Sequence, residues 1–254
     1  MKFDTLDKKM RVYETNMDQT VLPGLYMIAR LDGRGFTKLT KEQLALERPF
    51  DERFRDAMID TVKHTMDCGF RVVYGFTQSD EISLLFHRLD DSFGRKTRKL
   101  ISILSGEASA RFTLAMGSLG VFDCRIIPLP SSDLVVDYFR WRSEDAHRNA
   151  LSAWCYWKMR DTGASVNEAT EALKGRSTAE KNELLFQLGI NFNTLPAWQK
   201  RGIGFYYERF DKVSTDSLKN IPCVVSRTRL VTDTMLPVGA NYDLLVRSLL
   251  EEDA

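Results

Sequence analysis

Residues 71–86 read Arg71-Val72-Val73-Tyr74-Gly75-Phe76-Thr77-Gln78-Ser79-Asp80-Glu81-Ile82-Ser83-Leu84-Leu85-Phe86. Two runs of β-branched, aromatic and aliphatic residues flank a short polar segment, and such residues suit a pleated sheet. Only residues 77–81 separate the runs, so a β-hairpin is the economical connection. That connection puts Asp80 at the turn.

Upstream, Leu25-Tyr26-Met27-Ile28-Ala29 is a short apolar run that reads as another strand, and it leads into Arg30-Leu31-Asp32-Gly33-Arg34-Gly35-Phe36-Thr37. Between this strand and the hairpin, residues 51–67 carry Phe54, Met58, Ile59, Val62 and Met66 at the three-and-four spacing of an amphipathic helix. Cys68-Gly69 then offers a helix terminator. Beyond the hairpin, residues 96–116 repeat the helical pattern through Leu100, Ile103, Leu104 and Phe112, and residues 121–127 return to strand composition before Pro128 and Pro130 interrupt it. The order βαββαβ describes an α+β fold with a ferredoxin-like antiparallel sheet covered by two helices on one face. In that topology the first strand lies beside the third. Asp32, placed just past the end of strand one, and Asp80, just before strand three, then meet at one edge of the sheet.

Two carboxylates so delivered suit a pair of Mg2+ ions, which take oxygen ligands and complete their shells with substrate phosphates. One ion activates an attacking oxygen while the other stabilises the leaving group. Gly33 and Gly35 supply a loop whose backbone N–H groups approach a triphosphate closely, because no side chain blocks them. Lys99, one helical turn beyond Arg95, adds positive charge. Each feature also has a plainer reading. An Asp-Gly pair is a turn signal, and Arg95, Lys96, Arg98 and Lys99 form a solvated helix face as readily as a phosphate clamp.

The succession RLDGRGF, TQSDEISLLF, the Lys99 helix, VFDCRIIPLP, DYFRWRSEDAHRNAL and AEKNELLF resembles the histidine-tRNA guanylyltransferase family, including its Thg1-like relatives, over roughly residues 3–210. The resemblance implies a polymerase-palm-like fold and addition of nucleotides to a tRNA 5′ end, opposite to the usual direction of synthesis. It implies activation of a 5′-monophosphate by ATP, or use of a 5′-triphosphate, followed by attack of the 3′-hydroxyl of an incoming nucleotide such as GTP. By likeness, Asp32, Asp80 and the Gly33 carbonyl are metal ligands. Arg34, Gly35, Phe36, Thr37 and Ser79 bind the triphosphate with Gly33, and Glu81 and Lys99 join Asp32 and Asp80 as catalytic residues. Lys181 and Asn182 match a Lys-Asn-Glu segment tied to activity. The eukaryotic enzymes carry His-Ile-Asn-Asn where this chain reads His147-Arg148-Asn149-Ala150. That departure favours the Thg1-like branch and template-dependent 5′-end repair, with addition of the G−1 guanylate to histidine tRNA as the alternative. A homotetramer is expected from the same resemblance.

With 254 residues and a formal net charge of +1, the chain has room for one substantial core and no global polyanion signature. Any tRNA surface is therefore a local patch. The candidate is Arg140, Arg142, Arg148, Lys158 and Arg160 interleaved with Phe139, Trp141, Trp154, Tyr156 and Trp157, with Arg148 first among them. Trp154 and Trp157, three residues apart, also fit a helix core. Cys68, Cys124, Cys155 and Cys223 show no paired metal-ligand spacing and read as free, mostly buried thiols. Without a signal peptide or long apolar span, a cytoplasmic protein with no membrane contact is expected.

Residues 1–130 form the palm-like catalytic part in this reading, and residues 131–254 a mainly helical, tRNA-facing part integrated with it. Helices are expected over residues 132–160 (with a possible break), 165–173, 177–188 and 242–250, and strand-like composition covers residues 202–210 and 222–231. Two other classes fit the palm-like core: a nucleotide cyclase, which needs no extended RNA surface, and a non-catalytic tRNA-binding module.

Overall fold

The structure, a computed structural model, describes residues 2–216 and 221–251, without the side chains of residues 215, 216, 222 and 223. A first helix, α1 (Phe3–Glu14), precedes β1 (Tyr26–Gly33), the single turn α2 (Phe36–Lys38), which widens into a π turn over Leu39–Gln43, and α3 (Glu52–Met66). The hairpin strands β2 (Val72–Gln78) and β3 (Glu81–Phe86) lead to α4 (Thr97–Met116) and β4 (Phe122–Leu129). Then come α5 (Ser132–Asp161), α6 (Val166–Leu173), α7 (Thr178–Gln187), α8 (Ala197–Arg201), β5 (Ile203–Asp216), β6 (Ile221–Asp233) and α9 (Ala240–Glu251).

The six strands form one sheet in the order β4-β1-β3-β2-β5-β6. Every pairing is antiparallel, and its first four strands have the ferredoxin-like order anticipated from the sequence. Side chains alternate between faces along each strand. Met27, Ala29 and Leu31 of β1 join Ile82, Leu84 and Phe86 of β3 against α3 and α4, whose Met58, Val62, Leu100 and Phe112 are buried. On the opposite face Ile28, Tyr74 and Leu85 pack with Val135 and Phe139 of α5 and Val246 of α9. Both faces are thus covered, where the sequence suggested helices on one.

The structure differs from the sequence reading at several boundaries. β1 runs to Gly33, so Asp32 lies within the strand, opposite Glu81 on one side and Asp123 on the other. β4 passes through Pro128 because it is the edge strand, where a residue without an N–H does no harm. α5 is one unbroken helix of 30 residues, opened by Ser131, whose hydroxyl accepts from the Leu134 N–H. Capping boxes from Ser165 with Glu168 and Ser177 with Glu180 open α6 and α7. The second half supplies strands as well as helices: β5 pairs with β2 over residues 203–206 and continues with β6 as a two-stranded ribbon. Cys155 is buried, Cys68 and Cys124 are half-buried, and the Cys223 side chain lies outside the described residues.

Candidate active site

The β2–β3 hairpin closes through two residues, Ser79 and Asp80, between the cross-strand partners Gln78 and Glu81. Ser79 holds φ at 54°, a left-handed value costly for a residue with a side chain. This strained turn carries Asp80 to the end of β1. There the Gly33 N–H donates to the Asp80 carbonyl at 3.0 Å. A Cβ built on Gly33 would stand 2.8 Å from both Asp80 Cβ and Oδ2 and 2.6 Å from Phe36 Cγ. Only glycine permits this approach, so Asp80 packs directly on the residue that follows Asp32. The three expected metal ligands are thereby contiguous.

Burial is the main force on Asp80 and pushes its carboxyl up to about 6, against hydrogen bonds from its own N–H and from Ser79, while the Asp32 and Glu81 charges raise it further. The Ser79 hydroxyl reaches Asp80 Oδ1 at 3.1 Å. The Asp80 charge, with no cation paired to it among the described residues, is what a divalent ion relieves. Glu81 is compensated differently. Arg30 and Arg142 each bond one of its oxygens, so the carboxylate bridges β1, β3 and α5. Arg30 also stands 3.7 Å from Asp32 Oδ2, and its buried Nε has no partner. Arg142, with only 5% of its side chain exposed, further contacts Asp145 at 3.2 Å.

After Gly33 the Arg34 N–H donates to Val121 O at 2.8 Å, which commits that amide to the scaffold and leaves its exposed side chain free to move. Gly35, at φ 73°, turns the chain into α2. Phe36 is buried against Phe54, Phe112 and Phe122, with ring centroids 4.9 Å apart in the Phe112 pair. It therefore anchors the loop by its ring, whereas Thr37 remains exposed. Beside Asp80 opens a cavity of about 160 Å³ whose walls include Thr37, Ser79, Phe50, Asp51, Arg55 and Trp198. Arg55 lies over the Trp198 ring at 5.0 Å, and Asp51 caps α3 through the N–H groups of Arg53 and Phe54.

Hard oxygen donors define this corner. Among the described residues no group of three or more His, Cys, Asp and Glu side chains is arranged to hold a metal. Two carboxylates and a carbonyl are nonetheless the sparse protein set that Mg2+ accepts when phosphates and water supply the rest.

Lys99 is not brought to this corner. It sits in the first turn of α4, 5.9 Å from the Phe93 ring, beside Arg95, which donates to the Leu25 carbonyl ahead of β1. Asp32 lies seven residues further along, roughly 23 Å at strand rise. Any phosphate that Lys99 neutralises is therefore not one held by Asp32 and Asp80 of the same chain. Phe93, Gly94 and Arg95 just before it all take left-handed φ, from 55° to 61°.

Arg148 is exposed on α5 and lines a second cavity, of about 350 Å³, with Arg140, His147, Thr178, Arg201 and Tyr242. Burial first, then Lys200 and Arg201, lowers the His147 pKa. Lys181 and Asn182 stand nearby on α7: the Lys181 ammonium reaches Ser152 Oγ at 3.0 Å, and Asn182 donates to the Thr178 carbonyl. The basic-aromatic patch of α5 is divided by the fold. Phe139 and Arg142 are buried, Arg140 pairs with Asp243, and Trp157 lies under Lys41 and Arg48. Trp154 is half-buried and packs on the small core around Leu151 and Leu185.

Sequence reasoning passed over Arg30 and Arg142 as partners of Glu81. The signal was present: Arg142 falls on the buried stripe of α5 with Val135, Phe139 and Ala146, and Arg30 shares the face of Ile28 inside a covered strand. A charge in such a row implies a buried partner.

The sequence pattern described as tRNAHis guanylyltransferase matches residues 7–130, and that of the Thg1 C terminal domain matches residues 133–234. A tRNA(His) guanylyltransferase of Schizosaccharomyces pombe is 33% identical over 202 residues, covering 76% of this chain and 77% of that protein. A probable tRNA(His) guanylyltransferase of Drosophila melanogaster is 32% identical over 195 residues, 73% of this chain and 68% of its own. Among solved structures, a bacterial tRNA(His) guanylyltransferase (Thg1)-like protein in complex with ATP superposes with a TM-score of 0.76 at 26% identity, covering 96% of this chain and 98% of that one. The Saccharomyces cerevisiae tRNA(His) guanylyltransferase superposes with a TM-score of 0.70 at 26% identity, over 76% of this chain and 90% of the other. Among the described residues, no helix is long and apolar enough to cross a membrane.

Proposed function

Because the chain belongs to the tRNA-His guanylyltransferase family, we propose that Asp32 and Asp80 form the centre at which it adds nucleotides to a tRNA 5′ end in the 3′–5′ direction. Membership sets aside the cyclase and the non-catalytic module. The single observation carrying the site is the Asp80 carboxylate packed on Gly33 and coupled to Asp32. Two Mg2+ ions held by these carboxylates and the Gly33 carbonyl would lower the charge on the reacting phosphates and activate the attacking hydroxyl.

The remaining residues orient and neutralise. Arg34, Gly35, Phe36, Thr37 and Ser79 receive the triphosphate of ATP or of the incoming nucleotide, with Phe36 fixing the loop from the core. Glu81 acts on the site through Arg30, which it holds against Asp32. The Arg30 guanidinium, lying between Glu81 and Asp32, sets the charge beside the carboxylate pair. In the first step a 5′-monophosphate oxygen attacks the α-phosphorus of ATP and releases pyrophosphate. In the second, the 3′-hydroxyl of the incoming nucleotide attacks the activated 5′-phosphorus and releases AMP. A 5′-triphosphate enters at the second step, with pyrophosphate leaving.

Repair of truncated tRNA is the reading we favour. The His147-Arg148-Asn149-Ala150 segment departs from the eukaryotic His-Ile-Asn-Asn, and the likeness to the bacterial Thg1-like protein spans nearly both chains. The names of the curated relatives favour G−1 addition to histidine tRNA as the second reading. Arg148, Lys181 and Asn182 are assigned to the tRNA or its activation, and Lys99 to phosphates away from the carboxylate pair. Residues 1–130 then carry the chemistry, and residues 131–254 face the tRNA in a cytoplasmic homotetramer. Presenting a tRNA that lacks its first 5′ nucleotide alongside intact histidine tRNA decides between the readings. Templated filling of the truncated end supports repair, and obligate addition of G to the intact tRNA overturns it.

A further inference from the structure

Helix α1 has no buried residue. Its apolar side chains nevertheless keep strict order: Phe3, Leu6, Met10 and Tyr13 recur at three, four and three residues, and Met17 follows at four. This is the 3.5-residue period of a coiled-coil seam. The four helical members are 78%, 42%, 52% and 71% exposed, while Val12, off the seam, is 66% exposed. A helix of 12 residues is marginal in water by itself. Such a stripe calls for a partner helix.

The charges beside the seam say which helix and in which direction. With Phe3 and Met10 at a positions and Leu6 and Tyr13 at d positions, Lys2 and Lys9 occupy g, and Asp7 and Glu14 occupy e. In a parallel pair each g residue meets the e residue five positions on in the partner, so Lys2 meets Asp7 and Lys9 meets Glu14. Both contacts are attractive, and symmetry doubles them. An antiparallel pair sets e against e and g against g, opposing Asp7 to Asp7 and Lys9 to Lys9. The one ion pair now made within the helix, Arg11 with Asp7 at 2.9 Å, is exposed and leaves Lys2 and Lys9 outside it, while Glu14 feels the charges of Arg11 and Arg98 without an ion pair to either.

We propose that α1 docks in parallel register on α1 of a second copy of this chain. The pairing is independent of the nucleotide-addition reading and gives the expected oligomer one definite contact. It leaves the sheet and both carboxylates untouched, because α1 is joined to the body through the segment where Asp18 pairs with Lys96 and Arg98.

Cysteine cross-linking of the full chain tests it. Met10→Cys places two thiols at one a layer of a parallel pair, so mild oxidation should link the chains through residue 10 at least about tenfold faster than Val12→Cys, since pairing raises the local thiol concentration well above a micromolar solution value. Lys9→Glu in the Met10→Cys chain should slow the linkage, and adding Glu14→Lys should restore it. None of these positions is buried, and circular dichroism of each variant keeps the comparison to folded protein. Equal rates for the two cysteine variants, indifference to Lys9→Glu, or peptide mapping that finds residue 10 joined to another face of the neighbouring copy would overturn the parallel pairing.

Discussion

Replacing Gly33 by alanine should disable the enzyme through a single methyl group. The new Cβ would lie 2.8 Å from Asp80 Cβ and Oδ2 and 2.6 Å from Phe36 Cγ, whereas ordinary contact begins near 3.4 Å. One neighbour must therefore retreat by about 0.6–0.8 Å. Phe36 is hemmed in by Phe54, Phe112 and Phe122, so Asp80, at the tip of a two-residue turn, is the one that moves. A displacement of about 1 Å at a reacting centre costs on the order of 100-fold, which puts the expected fall in kcat between about tenfold and a hundredfold. Overpacking costs about 1–3 kcal/mol. The φ of Gly33 is one that alanine adopts freely, so reduced entropy of the unfolded chain returns about 0.4–1 kcal/mol. Single-turnover nucleotide addition, tRNA binding and urea unfolding should be measured on the same preparation. Near-normal kcat in a folded Gly33→Ala protein would refute the close packing of Asp80 on β1.

Further outcomes follow from other residues. Glu81→Ala leaves Arg142 buried without its main partner and should destabilise the fold by about 3–5 kcal/mol in urea titrations, with much of the loss recovered in Glu81→Ala/Arg142→Met. Asp51, whose carboxyl is held down to about 2 first by Arg53, contributes stability above pH ~4 that drains away as pH falls towards 2, and Asp51→Asn should weaken that acid dependence by about 1–2 kcal/mol in melts across this range. Mg2+ with ATP at roughly 100 times its Kd should raise the unfolding free energy of the wild type by about 2.7 kcal/mol, and Asp32→Ala should lose most of this gain in thermal shift. Arg148→Ala should weaken tRNA binding evenly across tRNA sequences and lower the slope of log K against log salt by about one.

The hairpin that organises the site was readable because its two hydrophobic runs are so close that they have to pair antiparallel, and antiparallel pairing with β1 followed from the βαββαβ order. The end of β1 was not readable, since Asp32 and Gly33 carry turn chemistry and only their pairing with Glu81 and Phe122 keeps them extended. The separation of Lys99 from the carboxylate pair was only partly legible. β3 leaves Asp80 and runs six residues, about 20 Å, before the chain enters α4. What fixes the start of that helix is the Arg95 bond to the Leu25 carbonyl and the Thr20–Lys96 bridge, both to residues ahead of β1. The second layer of helices had weaker signals, because α5 carries Leu134 and Trp141 on its exposed side while Arg142 and Ser143 interrupt the buried stripe of Val135, Phe139, Ala146 and Leu151. The cavity beside Asp80 draws Phe50, Arg55 and Trp198 from separated segments, and no spacing within one element predicts that meeting.

Anomalous diffraction from crystals holding Mn2+ and a non-hydrolysable triphosphate bears most directly on the joint grip of Asp32 and Asp80. The peaks should touch both carboxylates and the Gly33 carbonyl, at about 2.0–2.3 Å, with phosphate oxygens completing the shells. Metal bound elsewhere, or a triphosphate seated without either aspartate, would contradict the proposed centre.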